Sequence, residues 1–306
     1  MAKPNRCESY SLILANGQSL EMAASPRARP WLERLASIMG LERNARHGPM
    51  QIIFVRDGLE EIQEAIGLSP ARISSEWRRQ EVWPLLIHYG SEPLMVCELG
   101  NAPEGLELFR MMQATHYICS LLQTSGGLPL HAALLEHNGN GYVIAAPSGT
   151  GKSTCSRRIP SPWQALCDDF TLIVQNDKGR YCAHPFPTWS EESKKPNSGH
   201  SWNVQRHMPL KGIFLLKQSG EDGIKPLGKG EASAFIYHSV SQICQLFWKG
   251  LSDEDCIASR KTLFDNSCRL ADSVPAFILK ASLTGKFWEQ MEQGLQEAGA
   301  TVEEIS

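Results

Sequence analysis

From Glu104 to Leu122 the chain places Leu108, Met111, Met112, Thr115, Ile118, Cys119 and Leu122 three and four residues apart, which predicts a helix with one buried stripe. A shorter version of the pattern, Trp31, Leu32, Leu35, Ile38 and Met39, predicts a helix over Pro30 to Leu41. Strands are expected where short apolar runs are bounded by turn residues. Tyr10 to Leu14 and Ser19 to Met22 flank Asn16-Gly17 as a hairpin, and Gln51 to Val55, Leu85 to Tyr89 and Leu94 to Glu98 follow. Gly126-Gly127 stop the long helix, which sets a boundary between an accessory domain, 1–125, with a role in substrate recognition, and a second domain, 126–306.

Beyond that boundary the texture changes. Leu130 to Leu135 reads as one strand carrying His131, Asn138 to Gly141 as a turn, and Tyr142 to Ala145 as a second strand. Lys152 to Ile159 is a short helix, and Ala165 to Cys167 is a strand ending in Asp168-Asp169. Phe170 to Val174 and Tyr181 to Ala183 form another hairpin around Asn176 to Gly179. The polar, proline-bearing span from Pro185 to Pro209 is predicted to be an unstructured, mobile binding loop. A strand over Gly212 to Lys217 and helices over Glu231 to Leu246 and Gly285 to Ala298 complete the chain.

Composition narrows the class. With 30 Lys and Arg against 33 Asp and Glu, the net charge is −3, and no general basic field draws the chain to nucleic acid or an anionic membrane. The first residues show no apolar core of a signal sequence, and no run approaches the roughly 18 apolar residues of a membrane span, so a cytoplasmic protein is expected. Nine cysteines without a C-x-x-C pair suit reduced thiols better than a disulfide frame or a zinc site.

Candidate chemistry centres on AAPSGTGKST, Ala145 to Thr154, which differs from the phosphate-binding pattern G-x-x-x-x-G-K-[ST] only at Ala146. Gly149 and Gly151 let the backbone of Ser148, Gly149, Thr150, Gly151, Lys152, Ser153 and Thr154 wrap a phosphate. Lys152 reaches the β- and γ-phosphates, and Ser153 offers magnesium a hydroxyl. Alanine is tolerable at 146 if its φ is negative. One short strand after the following helix, Asp168 and Asp169 are placed to face the metal and the attacking hydroxyl, provided the strand ends or twists there. His131 alone reads as a hydrogen-bonded core histidine.

A His on a strand, a hairpin, a Ser-Gly-x-Gly-Lys-Ser loop, a short helix and an Asp-Asp pair occur in one order over Leu128 to Val174. This stretch resembles the C-terminal domain of HPr kinase/phosphorylase, and more closely its relatives encoded with ribosomally made, modified peptides, the SynChlorMet cassette ScmC type; Pro209 to Leu216 extends the likeness weakly. The resemblance implies an α/β protein: a compact P-loop kinase domain of the HPr kinase and phosphoenolpyruvate carboxykinase type with a mixed sheet, preceded by a mixed α/β accessory domain. It implies an ATP-dependent serine/threonine kinase using ATP and Mg²⁺. Lys152 and Ser153 carry over as phosphate and magnesium contacts, Asp168 as the base, His131 with Asp169 as supporting groups, and Asp169 as a second metal contact. The acceptor it implies is a ribosomally synthesised precursor peptide. A small hydroxyl compound such as free serine, or a non-catalytic ATP-binding regulator, is the alternative, and a homo-oligomer is left open.

The likeness departs at Pro209 to Phe214, where HPr kinases carry a metal-linked glutamate. Glu191 or Glu192 stands as a replacement, with a solvated loop as the default for both. Trp189 either packs under that loop or stacks on an adenine. Arg206, Lys211 and the Lys225 to Gly230 run read as surface charge.

Overall fold

The computed structural model describes residues 9–44, 50–66, 69–90, 93–100, 104–194 and 200–303. Two mixed sheets organise them. The first contains β1 (Ser9–Ile13), β2 (Ser19–Ala24), β3 (Arg43–Asn44), β4 (Met50–Val55), β5 (Arg78–Val82), β6 (Leu85–Tyr89) and β7 (Leu94–Glu98), in the order β3-β1-β2-β4-β7-β6-β5. The second contains β8 (Leu128–Leu130), β9 (Ala132–His137), β10 (Asn140–Ala145), β11 (Gln164–Cys167), β12 (Thr171–Gln175), β13 (Tyr181–Pro185) and β14 (Met208–Gln218), in the order β11-β9-β10-β14-β13-β12-β8. Two further strands, β15 (Gly223–Pro226) and β16 (Ala276–Ala281), extend it through the pairing of β16 with β14.

The described helices are α1 (Arg29–Met39), α2 (Glu60–Ile66), α3 (Pro70–Glu76), α4 (Glu107–Leu121), α5 (Lys152–Arg158), α6 (Trp189–Lys194), α7 (Lys229–Trp248), α8 (Asp253–Ser273) and α9 (Phe287–Glu303). None of the described helices is long and apolar enough to cross a membrane.

The second sheet is buried on both faces. Leu134, Val143 and Ile213 point into the main core, while Ala133, Leu135, Ile144 and Phe214 point into a second cluster with Phe287 and Met291 of α9. The period-2 alternation of side chains thus meets apolar partners on either side, which is why these strands read as unbroken apolar runs. The main core also takes in Leu32, Leu35 and Phe54 of the first half, so one apolar mass joins the two sheets.

Two expectations require correction. The apolar run Leu130 to Leu135 is not one strand: it breaks at His131, with β8 paired to β12 and β9 paired to β10 and β11. Nor is the described part of Pro185 to Pro209 a loose loop, for Trp189, Trp202 and Val204 are at most 5% exposed and Thr188 is buried. Trp202 and Val204 donate backbone N–H bonds to Ile38 and Met39 at the end of α1, at 2.9 and 3.3 Å. The eight cysteines among the described residues are free thiols, and Cys7 lies outside them.

Candidate active site

Strand direction assembles the site. β9 runs antiparallel to both β10 and β11, with Ala132 opposite Ala145 and Leu134 opposite Cys167. The start of β9 and the ends of β10 and β11 therefore share one edge of the sheet. His131, the loop after Ala145 and the Asp168-Asp169 pair all lie there.

At that edge two chain segments change partners together. Leu130 and Thr171 pair on one side of the break, Leu134 and Cys167 on the other. The Thr171 hydroxyl donates to the Ala132 carbonyl at 3.0 Å, and the Cys167 thiol donates to the Phe170 carbonyl at 3.1 Å, so neither crossing leaves its polar groups stranded. Because β11 ends at Cys167, Asp168 and Asp169 are freed from strict alternation and both reach the same cavity.

That cavity has a volume of about 640 Å³. Its lining includes Ser148, Gly149, Gly151, Lys152, Ser153 and Thr154 of the loop, together with His131, Asp168 and Asp169. Thr150 alone of the predicted loop residues is absent from the lining; its N–H donates to the Pro147 carbonyl at 3.3 Å. Gly149 (φ +79°) and Gly151 (φ +105°) hold left-handed backbone that a side chain would strain. Among the described residues Asn138 is the one non-glycine with positive φ, so Ala146 has the negative φ its side chain needs.

The polar groups are few and directional. His131 Nε2 lies 2.9 Å from Asp169 Oδ1 and its Nδ1 lies 2.8 Å from Gln242 Oε1 of α7. The hydrogen bond from His131 holds Asp169 below the ordinary carboxylate range; burial opposes that shift, and the charges of His131, Lys152 and His116 add to it. Lys152 is buried and donates to the Ala146 carbonyl at 2.9 Å. Desolvation pulls its ammonium below the usual lysine value while Asp169 and Asp168 pull the other way. Asp168 donates its backbone N–H to the Thr188 hydroxyl at 3.2 Å, and its Oδ1 is buried with no partner.

Four lining residues were not predicted, the apolar Ile243 and three polar ones. His116 projects from α4, and desolvation pushes it down to about 4 against the pull of Asp169. In the sequence it is hidden between buried Thr115 and Tyr117, within a helix that reads as a core element. Gln242 and Ser190 come from α7 and α6, far along the chain, and carry no local signal.

Other expectations find different places. Glu192 is 3% exposed, with Arg34 at 3.9 Å, so it is not a solvated loop residue; the salt bridge to α1 explains its burial. Glu191 is exposed, and neither glutamate lines the cavity. Trp189 is buried, packed beneath its segment. Pro209 and Lys211 border a different cavity, with Asn140, at the opposite end of β10, so the carboxylate missing at Pro209 is missing from a place remote from His131. Arg206 faces Glu136 at 3.6 Å and Lys229 faces Asp272 at 3.1 Å.

The arrangement defines a mixed α/β protein in which a glycine loop between strand and helix faces a buried lysine, a histidine–aspartate pair and a second aspartate. The chain belongs to the SynChlorMet cassette protein ScmC family, whose model matches residues 95–296, from β7 to α9. No curated protein matches the chain.

Proposed function

We propose that the chain is an ATP-dependent phosphotransferase of the HPr-kinase-like P-loop type that moves the γ-phosphoryl group of ATP to a serine or threonine hydroxyl on a ribosomally synthesised precursor peptide. The observation that carries this reading is the convergence, in one cavity, of the Gly149–Gly151 loop and Lys152 with Asp168, whose buried Oδ1 has no donor. An acceptor hydroxyl is a donor, and a base must lie within hydrogen-bond reach of the proton it takes.

The loop's backbone N–H groups and Lys152 hold the phosphates, and Lys152 leaves the Ala146 carbonyl to do so. Asp168 orients the acceptor hydroxyl and takes its proton as the oxygen attacks phosphorus. The His131 hydrogen bond holds Asp169 below the ordinary carboxylate range and fixes where its negative charge sits in the cavity. Hard oxygens from Ser153 and Asp169 suit Mg²⁺, which binds through one or two carboxylates plus substrate phosphates. Held by these two residues, Mg²⁺ would supply neutralisation of charge on the transferred group. The peptide acceptor rests on the resemblance to proteins encoded with ribosomally made, modified peptides, and membership of a cassette-protein family is in keeping with it.

The test is intact-mass measurement of candidate precursor peptides after incubation with Mg–ATP. Gain of one phosphate is expected, and HPr, as a control, should gain none. Asp168→Asn should slow transfer by at least about 100-fold while ATP affinity holds within about threefold. Lys152→Ala should weaken ATP binding. Tight ATP binding with no loss of γ-phosphate in the presence of any peptide would instead make the chain a nucleotide-binding regulator, and ATP binding indifferent to Lys152→Ala would remove the nucleotide reading altogether.

A further inference from the structure

Among the described residues, Ser190 is the one hydroxyl that the segment after β13 contributes to the cavity, the others being the loop's own Ser148, Ser153 and Thr154. It is exposed, yet it stands on a fixed base. Trp189 before it is 5% exposed, Glu192 after it is 3% exposed with Arg34 at 3.9 Å, and Thr188, also buried, accepts the backbone N–H of Asp168. The chain that carries Ser190 is thus tied directly to the residue proposed as the base. Asp168 in turn presents a buried oxygen lacking a donor.

We infer that Ser190 is a site of intramolecular phosphorylation, an inference that rests on the phosphotransferase reading. Ser190 Oγ attacks the γ-phosphorus of ATP bound at the loop, the bond from that phosphorus to the β–γ bridging oxygen breaks, Asp168 takes the hydroxyl proton, and ADP leaves. The product is accommodated locally. A phosphoserine at 190 lies in the first turn of α6, and Lys194, four residues on, is exposed and positioned on the same helix face to meet it. The added negative charge stands beside Asp168 and Asp169, so the modified chain disfavours a second ATP.

The experiment incubates the full chain with γ-labelled ATP and magnesium, without peptide, and maps the label. Label on Ser190, at a fractional rate independent of protein concentration, is expected. Ser190→Thr should keep it, Ser190→Ala should lower total label by at least about tenfold, and the phosphorylated chain should bind ATP at least about tenfold more weakly. Matching melting temperatures of the variants guard against misfolding. Transfer to a peptide or to water without label at Ser190, label elsewhere in the chain, or a fractional rate rising with protein concentration overturns the inference and leaves the phosphotransferase intact. ATP binding with no γ-phosphate loss to any acceptor overturns both.

Discussion

His131 earns its place through two contacts on opposite sides of one ring: Asp169 at 2.9 Å and Gln242 at 2.8 Å. Gln242 Nε2 in turn lies 3.3 Å from His238, so the amide is held and the ring cannot readily rotate away from Asp169. The consequence is measurable on the carboxylate. The stabilisation Asp169 gains from His131 is present above the ordinary carboxylate pKa of 3.8 and is lost as pH falls through its depressed folded value. In His131→Ala the Asp169 carboxyl titration, followed by NMR, should move upward toward or above 3.8, since burial then acts with less opposition. An unmoved midpoint would mean that the hydrogen bond does not set it. The glycine loop and the Asp168-Asp169 pair were legible in the sequence because their chemistry is written in consecutive residues. His116, Gln242 and Ser190 were not, since each matters only through where its helix ends up.

Among the elements, α1 shows how a distant segment is held. It ends at Gly40, φ +61°, whose N–H bonds close the last turn, and a side-chain carbon added there would stand 2.9 Å from Ser201 Oγ and 3.0 Å from the Trp202 carbonyl oxygen. Gly40→Ala should therefore cost both left-handed strain and close contact, about 1–3 kcal/mol by urea unfolding, with the segment around Trp202 losing amide protection first. A stability equal to the parent would show that the approach is looser than described. Hairpins were easy to read, as at Asn16-Gly17, because the turn chemistry is local. The helix α8 was missed: its buried face carries Asn266 and Ser267 beside Leu263 and Leu270, which blurs the 3.6-residue stripe. Equally, Leu130 to Leu135 reads as one strand because both arms of the sheet bury apolar side chains there, and hydrophobicity does not record a change of partner.

At the scale of the molecule, one buried histidine joins the two sheets. His184 on β13 accepts from the Ala15 N–H at 3.2 Å, beside the β1–β2 hairpin, and its Nδ1 donates to the Val204 carbonyl at 2.9 Å. With one nitrogen accepting and the other donating, the ring is neutral, and burial holds it down at about 4 from an ordinary 6.5. A histidine with a depressed folded value gives stability that is complete above 6.5 and lost as pH falls toward 4, because the unfolded chain takes up the proton first. Chemical denaturation between pH 7 and 4 should show a loss of about 3 kcal/mol from this residue alone, with His116 adding to it in the same direction. In His184→Gln the absolute stability should be lower but its pH slope shallower, and an unchanged slope would count against the assignment.

The paired crossing at His131 and at Asp168 to Phe170 has a further meaning for how activity is distributed among molecules. The residues at which the strands change partners are the same ones that hold the histidine–aspartate bond, so registry between the two arms of the sheet and completion of the site should depend on each other. On the proposed phosphotransferase reading, a chain with one arm slipped is expected to lack the site rather than to hold a weakened one. Stress on the fold should then remove competent molecules from the population one by one, leaving each survivor's affinity and turnover at full value.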